Sequence, residues 1–356
     1  MQAPSNKLDF SGQNIYAGFD AHLKSWRVTI MTDKLTHKTF SQSPDPKLLH
    51  QYLVKHFPGG TYHSAYEAGF CGYWIHNRLT SLGIHSMVVN PADIPTTDKE
   101  KVQKEDSRDS RKIAKALRNG DLTAIYVPSL KTLEDRSLVR MRKTLVQDLA
   151  KNKSRIKSFL HFHGVALTKY EGGHWSNRFI KWLEALEMTE PSGEQSLKAI
   201  VSVSKDLRAS VLQITRQIKA LSKTKDYEQP VALLKTIPGI GLLTAMMLLT
   251  ELETIDRFKK FDQLCSFIGL VPSTHSTGDH QVVSDITPRG NPMLRSALVE
   301  SAWVAARCDP ALTKSYYEYC KRMEPNKAII RIARKLLNRI QFVLKNKKPY
   351  VCSVVK

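Results

Sequence analysis

The chain has few cysteines, few acidic residues for its size and no long apolar run. Its five cysteines are odd in number and scattered, with no C-x-x-C pair, which argues against a disulfide framework or a zinc site and suits a reducing cytoplasm. The longest apolar stretch, 242–249, is interrupted by Thr244 and is much shorter than the roughly 20 residues that span a bilayer. The first ten residues lack the apolar core of a signal peptide. We therefore expect a cytoplasmic protein with no membrane partner.

Basic residues are in large excess. The 356 residues include 54 Lys and Arg against 33 Asp and Glu, a formal net charge of +21. With 42% apolar and 24% charged residues, the composition is that of a folded protein of two or three domains. An excess of this size indicates a polyanionic partner, and nucleic acid is the default; a merely basic surface is the alternative.

The apolar patterns predict an α/β region followed by helical regions. Between residues 1 and 130, two short strands joined by a polar turn precede alternating strands and helices, which favours a mixed sheet flanked by helices. Residues 131–228 contain two helices whose apolar residues repeat in heptads, with Asn152 as a polar member of the first seam. These seams pack within the chain or between chains. Residues 229–356 read as mainly helical, with one polar loop from Pro272 to Pro292.

The end of the chain is its most basic part. Between Lys321 and Lys348 there are ten Lys or Arg against one acidic residue. Helical spacing places four of these cations on one face: Lys327, Arg331, Arg334 and Lys335. A solvated helix face is one interpretation, but the lack of balancing acids favours contact with nucleic-acid phosphates.

Four carboxylates occur where a catalytic site is expected. Asp20 and Glu67 each end a predicted strand, and Asp106 and Asp109 lie three residues apart at the start of a predicted helix. Asp at a helix start is also ordinary capping. Four converging carboxylates would repel one another unless a divalent cation neutralised them, and Mg²⁺ prefers oxygen ligands and suits phosphoryl transfer. An acidic centre with basic flanks is what such an enzyme acting on nucleic acid requires.

Two glycine-containing motifs follow in the C-terminal region. Gly239 and Gly241 precede a predicted helix, so they form either a phosphate-binding turn or a plain helix-packing turn. The polar loop contains Ser276, and Arg289 and Arg295 beside it have the charge to hold phosphates. A simple turn is the alternative for this loop.

In order and spacing, these motifs resemble the DEDD-motif transposases of insertion sequences, a family that includes pilin-gene invertases and bridge-RNA-guided recombinases. The resemblance is carried by Gly-Phe-Asp-Ala-His at 18–22, Tyr-Glu-Ala-Gly at 66–69 and Asp-Ser-Arg-Asp-Ser at 106–110. It continues with Ile-Pro-Gly-Ile-Gly at 237–241, Gly-Leu-Val-Pro at 269–272, Ser-Thr-Gly at 276–278 and Gly-Asn-Pro-Met-Leu-Arg at 290–295.

The resemblance implies a RuvC-like domain of the ribonuclease H fold over 1–130, a coiled-coil region over 131–228 and a C-terminal transposase domain over 229–356. It implies that Asp20, Glu67, Asp106 and Asp109 hold Mg²⁺. It also implies that Ser276 forms a transient phosphoserine link to DNA, although Thr277 stands where relatives often have a second serine.

The partners that this resemblance implies are donor and target DNA, a structured guide RNA and further copies of the chain in a homodimer or homotetramer, acting at a bacterial nucleoid. Two other functions use the same residues differently. A RuvC-like junction nuclease would need the carboxylates but not Ser276, and a non-enzymatic nucleic-acid-binding protein would need neither.

Overall fold

The computed structural model describes residues 8–95, 106–167, 172–277 and 280–352, with the side chains of 106–107 and 274–285 excepted. The chain divides into two compact units, residues 1–127 and 128–356. The predicted regions 131–228 and 229–356 thus belong to one unit. No helix in the described part is long and apolar enough to cross a membrane.

The first unit is built on a five-stranded mixed sheet, as the early hairpin and later alternation predict. The strand order is β3-β2-β1-β4-β5; β2 runs antiparallel to both of its neighbours, β1 and β3, and β4 and β5 run parallel to β1. Its elements are β1 (Asn14–Ala21), β2 (Trp26–Thr32), β3 (Thr36–Gln42), α1 (Pro46–His56), β4 (Thr61–Glu67), α2 (Trp74–Ser81), β5 (His85–Val89) and α3 (Asp106–Asn119).

Apolar side chains bury both faces of the central strands. Phe19 stacks on Trp26 and on Tyr66, with ring centres 4.9 and 5.2 Å apart, and all three are almost fully buried. The opposite face is covered by α3, which contacts β1 so closely that a Cβ on Gly18 would lie 2.1 Å from the backbone nitrogen of Ala114. Only glycine fits at this position, and the helix is thereby held against the middle of the sheet.

The second unit is mainly helical and has its own core. Its largest apolar cluster combines residues from most of its helices, including the fully buried Leu248, Leu298 and Leu336. The elements are α4 (Leu130–Phe162), α5 (Asn177–Glu184), α6 (Pro191–Leu221), α7 (Glu228–Leu234), α8 (Leu242–Leu252), α9 (Phe261–Ile268), β6 (Pro272–Thr277), β7 (His280–Ile286), α10 (Pro292–Cys308), α11 (Pro310–Cys320) and α12 (Pro325–Asn346).

The two heptad helices pack on each other within the chain. Helices α4 and α6 form a long pair, and Ile156 of the first and Ile218 of the second are fully buried. Asn152, the polar member of the seam, is also buried, and its Oδ1 has no hydrogen-bond partner among the described groups. Of the two packing modes that the heptads allow, the hairpin within the chain is therefore present.

The prediction of a polar loop from Pro272 to Pro292 is wrong for most of its length. Strands β6 and β7 form an antiparallel hairpin in which Ser276 pairs with Gln281 and His275 with Val282. Both strands contain β-branched Thr, Val or Ile, whose side chains favour extended backbone. That preference, together with the pairing of the two strands, outweighs the turn preference of serine and glycine.

A buried carboxylate joins two helices at a sharp corner. Asp309 ends α10 and caps α11, accepting hydrogen bonds from the backbone amides of Ala311 and Leu312 at 3.0 and 3.2 Å. Its other oxygen accepts a hydrogen bond from the Tyr350 hydroxyl, and the Arg339 guanidinium lies 3.4 Å away. The segment after α12 is thus tied to the start of α11.

Candidate functional site

Two of the four predicted carboxylate residues occupy neighbouring positions on the sheet. Phe19 pairs with Tyr66 in the parallel β1–β4 ladder, so the next residues, Asp20 and Glu67, lie side by side at the carboxyl ends of both strands. Both are partly exposed. Adjacent strands are about 4.8 Å apart, so the two carboxylates are close enough to share a cation.

Both carboxylates lie on the face of the sheet that α3 covers. Side chains two residues apart on a strand share a face. Gly18 contacts α3 directly, which places Asp20 on that face. Ala65 is buried in a cluster with Ile113 of α3, which places Glu67 there as well.

The direction of α3 brings its first turn toward these carboxylates. Arg118, at the end of α3, lies near Tyr16 in the first half of β1. Its charge opposes the rise in pKa that burial gives the Tyr16 phenol. The middle of the helix contacts Gly18, and Ser110 Oγ is 2.9 Å from Thr29 Oγ1 on β2. The helix therefore runs antiparallel to β1, and its beginning points toward the end of β1 where Asp20 lies.

Asp109 lies on the part of α3 that faces the sheet, one turn before Ile113. Its carboxylate is 21% exposed, and its Oδ1 lies 3.4 Å from Lys112 Nζ. Asp106 is the first residue of α3, and its side chain lies outside the described part of the chain. Among the side chains that are described, no three His, Cys, Asp or Glu residues form a group that could hold a metal ion.

His22 is a neighbour of the carboxylates that the residue patterns did not single out. Its Nε2 lies 2.9 Å from Asp20 Oδ2, and its side chain is 50% exposed. The signal in the sequence is its spacing of two from Asp20, which places both side chains on one face of the strand end.

The hairpin that contains Ser276 is held at both of its ends by close backbone contact. Gly269 and Gly290 have φ of 83° and 104°, and a Cβ on Gly290 would lie 2.5 Å from the Gly269 nitrogen. The side chains of Ser276 and Thr277 lie outside the described part. Gly269 and Gly290 therefore allow the two ends of the hairpin segment to approach each other closely.

The two predicted arginines beside this hairpin have different surroundings. Arg289 is exposed. Arg295 is partly buried and donates from Nη1 to the carbonyl oxygens of Thr287, at 2.7 Å, and Gly269, at 3.5 Å. These contacts give Arg295 a role in holding the base of the hairpin.

A buried glutamate connects the hairpin to α4. Glu251 is 2% exposed and receives a forked pair of hydrogen bonds from Arg140, Nε at 2.6 Å and Nη2 at 2.8 Å. The amide of Asn291, the residue that caps α10, donates to the same carboxylate at 2.9 Å. Arg136 lies 3.8 Å away. Sequence patterns gave no sign of this cluster, because Arg136 and Arg140 lie more than 100 positions before Glu251 and Asn291 lies 40 positions after it.

The Gly239–Gly241 turn is a packing contact on one side and open on the other. A Cβ on Gly239 (φ 87°) would lie 2.3 Å from the Ser301 carbonyl oxygen of α10. Gly241 caps α8, and a Cβ there would meet nothing within 4 Å. Of the two interpretations offered for this turn, close helix packing accounts for Gly239.

The four predicted phosphate-binding cations of α12 divide into two pairs. Lys327 and Arg331 are exposed, one helical turn apart. Arg334 pairs with Asp262, and the ammonium of Lys335 donates to Ser315 Oγ at 2.9 Å. The first pair is therefore the better placed for phosphate contact.

Two transposase family models match different parts of this chain. Residues 17–164, which include Asp20, Glu67, Asp106 and Asp109, match a family model described as "Transposase" and named for the DEDD motif and IS110. Residues 231–318, which include Ser276, match the family described as "Transposase IS116/IS110/IS902 family".

Three similar proteins extend the match over most of the chain. The protein y4rJ of Sinorhizobium fredii is 30% identical over 302 residues, 76% of this chain and 74% of y4rJ. The transposase for insertion sequence element IS1533 of Leptospira borgpetersenii is 25% identical over 317 residues, 82% of this chain and 85% of its own length. With y4qE of Sinorhizobium fredii the identity is 31% over 239 residues, 67% of this chain but only 57% of y4qE. The chain belongs to the IS110 family of insertion-sequence transposases.

Proposed function

We propose that this transposase cuts and rejoins DNA strands through a Mg²⁺-binding carboxylate site and a covalent phosphoserine intermediate. The observation that carries the proposal is the side-by-side placement of Asp20 and Glu67 on the face covered by α3, the helix that begins at Asp106 and contains Asp109. The mixed sheet with a helix across its centre supports a RuvC-like, ribonuclease H fold for the first unit.

The donor set fits Mg²⁺. Asp20 and Glu67 offer partly exposed carboxylate oxygens on neighbouring strands, and Mg²⁺ is usually held by one or two carboxylates together with substrate phosphates. Asp20, Glu67, Asp106 and Asp109 are the residues that would hold it. Bound there, Mg²⁺ would supply charge stabilisation at a scissile phosphate.

Ser276 is the proposed nucleophile. Its Oγ loses a proton and bonds to phosphorus, while the bond from phosphorus to one deoxyribose oxygen breaks and that oxygen takes up a proton. Attack by a hydroxyl of another strand on the phosphoserine reverses these changes and releases the serine. The energy of the phosphodiester is kept throughout, so rejoining needs no ATP.

The neighbours of the hairpin support this role by fixing its base. Arg295 holds the carbonyls of Gly269 and Thr287, and Glu251 holds Asn291 where α10 begins. Arg289, exposed beside them, is available to offset charge on the phosphate oxygens. A nucleophile on a firmly anchored hairpin loses little conformational entropy on reaching the phosphate.

The remaining charge is assigned to nucleic-acid binding. Lys327 and Arg331 contact DNA or guide-RNA phosphates, and the net charge of +21 supports a large polyanionic partner. We propose a structured guide RNA, donor and target DNA and a homodimer or homotetramer as the working assembly.

The test is a covalent-adduct assay on end-labelled DNA carrying the ends of the element, with nucleic acid that co-purifies with the protein. Mg²⁺-dependent label should migrate with the protein on denaturing gels, and Asp20→Asn and Ser276→Ala should each abolish it. Thr277→Ala is the matched control for Ser276→Ala and should keep the adduct.

Other outcomes would contradict parts of the proposal. Cleavage without any adduct indicates a junction nuclease, and binding without cleavage indicates a non-enzymatic protein. Adduct loss in Thr277→Ala alone moves the nucleophile by one residue, and full activity of Asp20→Asn removes the carboxylate site from the reaction.

A further inference from the structure

A cavity of about 580 Å³ lies beside the α4–α6 hairpin, far in sequence from the carboxylates and from Ser276. This volume is within the range of about 300–1,000 Å³ typical of sites for small organic groups. Helices α4, α5 and α6 line it, together with Trp175, which precedes α5. No step of the proposed strand exchange uses this cavity.

The charge of the cavity wall is strongly positive. Lys153, Lys181, Lys205 and Arg208 line it, against the single carboxylate of Glu184, which pairs with Lys205 at 2.8 Å. The positive surface continues along α4, where the seven residues 151–157 include four cations and no acid. A ligand bound here is therefore expected to be anionic.

Trp175 is held in one orientation at the edge of the cavity. Its φ of 69° is an outlier for a bulky residue, and such strained backbone persists only where surrounding contacts impose it. Its carbonyl oxygen accepts a hydrogen bond from Arg208 Nη1 at 3.3 Å, and its ring packs edge-on against the fully buried Phe179, with centres 5.2 Å apart. The backbone of Trp175 is thus held by Arg208, and its indole packs against a buried side chain.

The remaining lining is apolar and suits a flat ring. Leu149, Ile180 and Leu212 form this part of the wall, and Lys153 Nζ lies over one face of the Trp175 ring, 5.2 Å from its centre. A fixed aromatic side chain with cations around it is how proteins bind bases of single-stranded nucleic acid, because every base has a face that stacks and a phosphate that pairs. A base within a duplex is already stacked on both faces and paired with its complement.

We propose that this cavity binds one unpaired nucleotide of a nucleic-acid strand, its base against Trp175 and its phosphate against Lys153 and Arg208. The proposal extends the proposed function, since it supposes that the protein works on nucleic acid. The strand is an unpaired part of an RNA or of an opened DNA duplex, and these two sources share the chemistry that the cavity recognises.

Fluorescence anisotropy without Mg²⁺ tests the proposal. It measures the binding of the full chain to three labelled ligands: oligouridine and oligothymidine of eight residues each, and a duplex of the same length. Trp175→Ala should weaken single-strand binding by about 5- to 160-fold, the loss expected for one base–aromatic stack, and leave duplex binding within about twofold. Trp175→Phe should retain most of the affinity because it keeps an aromatic face. Tighter binding of uridine would identify RNA as the source, and tighter binding of thymidine would identify DNA.

A pair of lysines on α4 provides the charge control. Lys153→Gln should lower the slope of log affinity against log salt by about 0.7, the value for one phosphate contact on a single strand. Lys157→Gln makes the same charge change outside the cavity lining and should lower the slope less. Photo-crosslinking of 5-iodouridine oligomers should label the peptide that contains Trp175.

Three outcomes would overturn the proposal. In the first, Trp175→Ala weakens single-strand and duplex binding equally; in the second, neither Trp175→Ala nor Arg208→Gln changes binding. In the third, the crosslinks do not include the peptide that contains Trp175. Because the assay measures binding without Mg²⁺ and without cleavage, its result does not depend on Asp20 or Ser276. Failure of the nucleotide site therefore leaves the adduct assay unaffected, and the converse also holds.

Discussion

Replacing Glu251 by glutamine removes the charge that joins α4 to the base of the serine hairpin. The carboxylate is 2% exposed, accepts two hydrogen bonds from Arg140 and one from Asn291, and has Arg136 at 3.8 Å. Removing one partner of a buried ion pair costs about 3–5 kcal/mol. Glutamine keeps one acceptor of nearly the same shape, and Arg140 is 54% exposed and regains water, so we expect a loss of about 2 kcal/mol.

Thermal and urea unfolding of the full chain measure this loss. For a unit of this size, about 2 kcal/mol corresponds to a fall in Tm of about 4–8 °C. The matched control is Glu300→Gln, an exposed glutamate on α10, which should change stability by less than about 0.5 kcal/mol. If Glu251→Gln is as stable as the control, the cluster does not hold the two elements together and the argument for an anchored hairpin fails.

Three further changes test other parts of the structure. Gly18→Ala forces a Cβ into the backbone of α3 and should lower the free energy of unfolding by more than about 3 kcal/mol. Its control, Gly241→Ala, has open space around the new Cβ and should lower it by less than about 1 kcal/mol. Equal urea midpoints for the two variants would contradict the close contact at Gly18. Lys327→Gln with Arg331→Gln should lower the slope of log affinity against log salt for duplex DNA by about 1.8, and an unchanged slope would place the DNA elsewhere. Burial, and to a smaller extent the charge of His85, lowers the pKa of His63. As the pH falls, His63 is therefore protonated in the unfolded chain before it is protonated in the folded chain. The first unit should thus lose stability as the pH falls below about 6.5. His63→Gln should reduce that pH dependence, and an identical pH profile would show that His63 is not its source.

Local patterns predicted most elements of the first unit but not its edge. Strands β1, β2 and β4 are short apolar runs bounded by turn residues, so their residues identify them without any tertiary information. Strand β3 was not predicted, because it is a largely exposed edge strand without an alternating apolar pattern. Its conformation is fixed by pairing with β2.

The candidate site divides in the same way. Asp20 and Glu67 could be placed at one sheet edge because each ends a recognisable strand. The contacts of Glu251 could not be predicted, since Arg140 is 111 positions away and only the tertiary fold brings them together. Trp175 gave no signal, because it lies between helices, where no period applies.

The corner at Asp309 has a practical consequence for handling this protein. Tyr350 lies beyond the last helix, yet its hydroxyl satisfies the buried Asp309 carboxylate and its backbone amide donates to Thr236 Oγ1 at 2.8 Å. A shortened variant that stops at the end of α12 would leave the buried Asp309 carboxylate without one of its donors and would lose the hydrogen bond to Thr236. C-terminal affinity tags and fluorescent fusions therefore need to be attached after Tyr350.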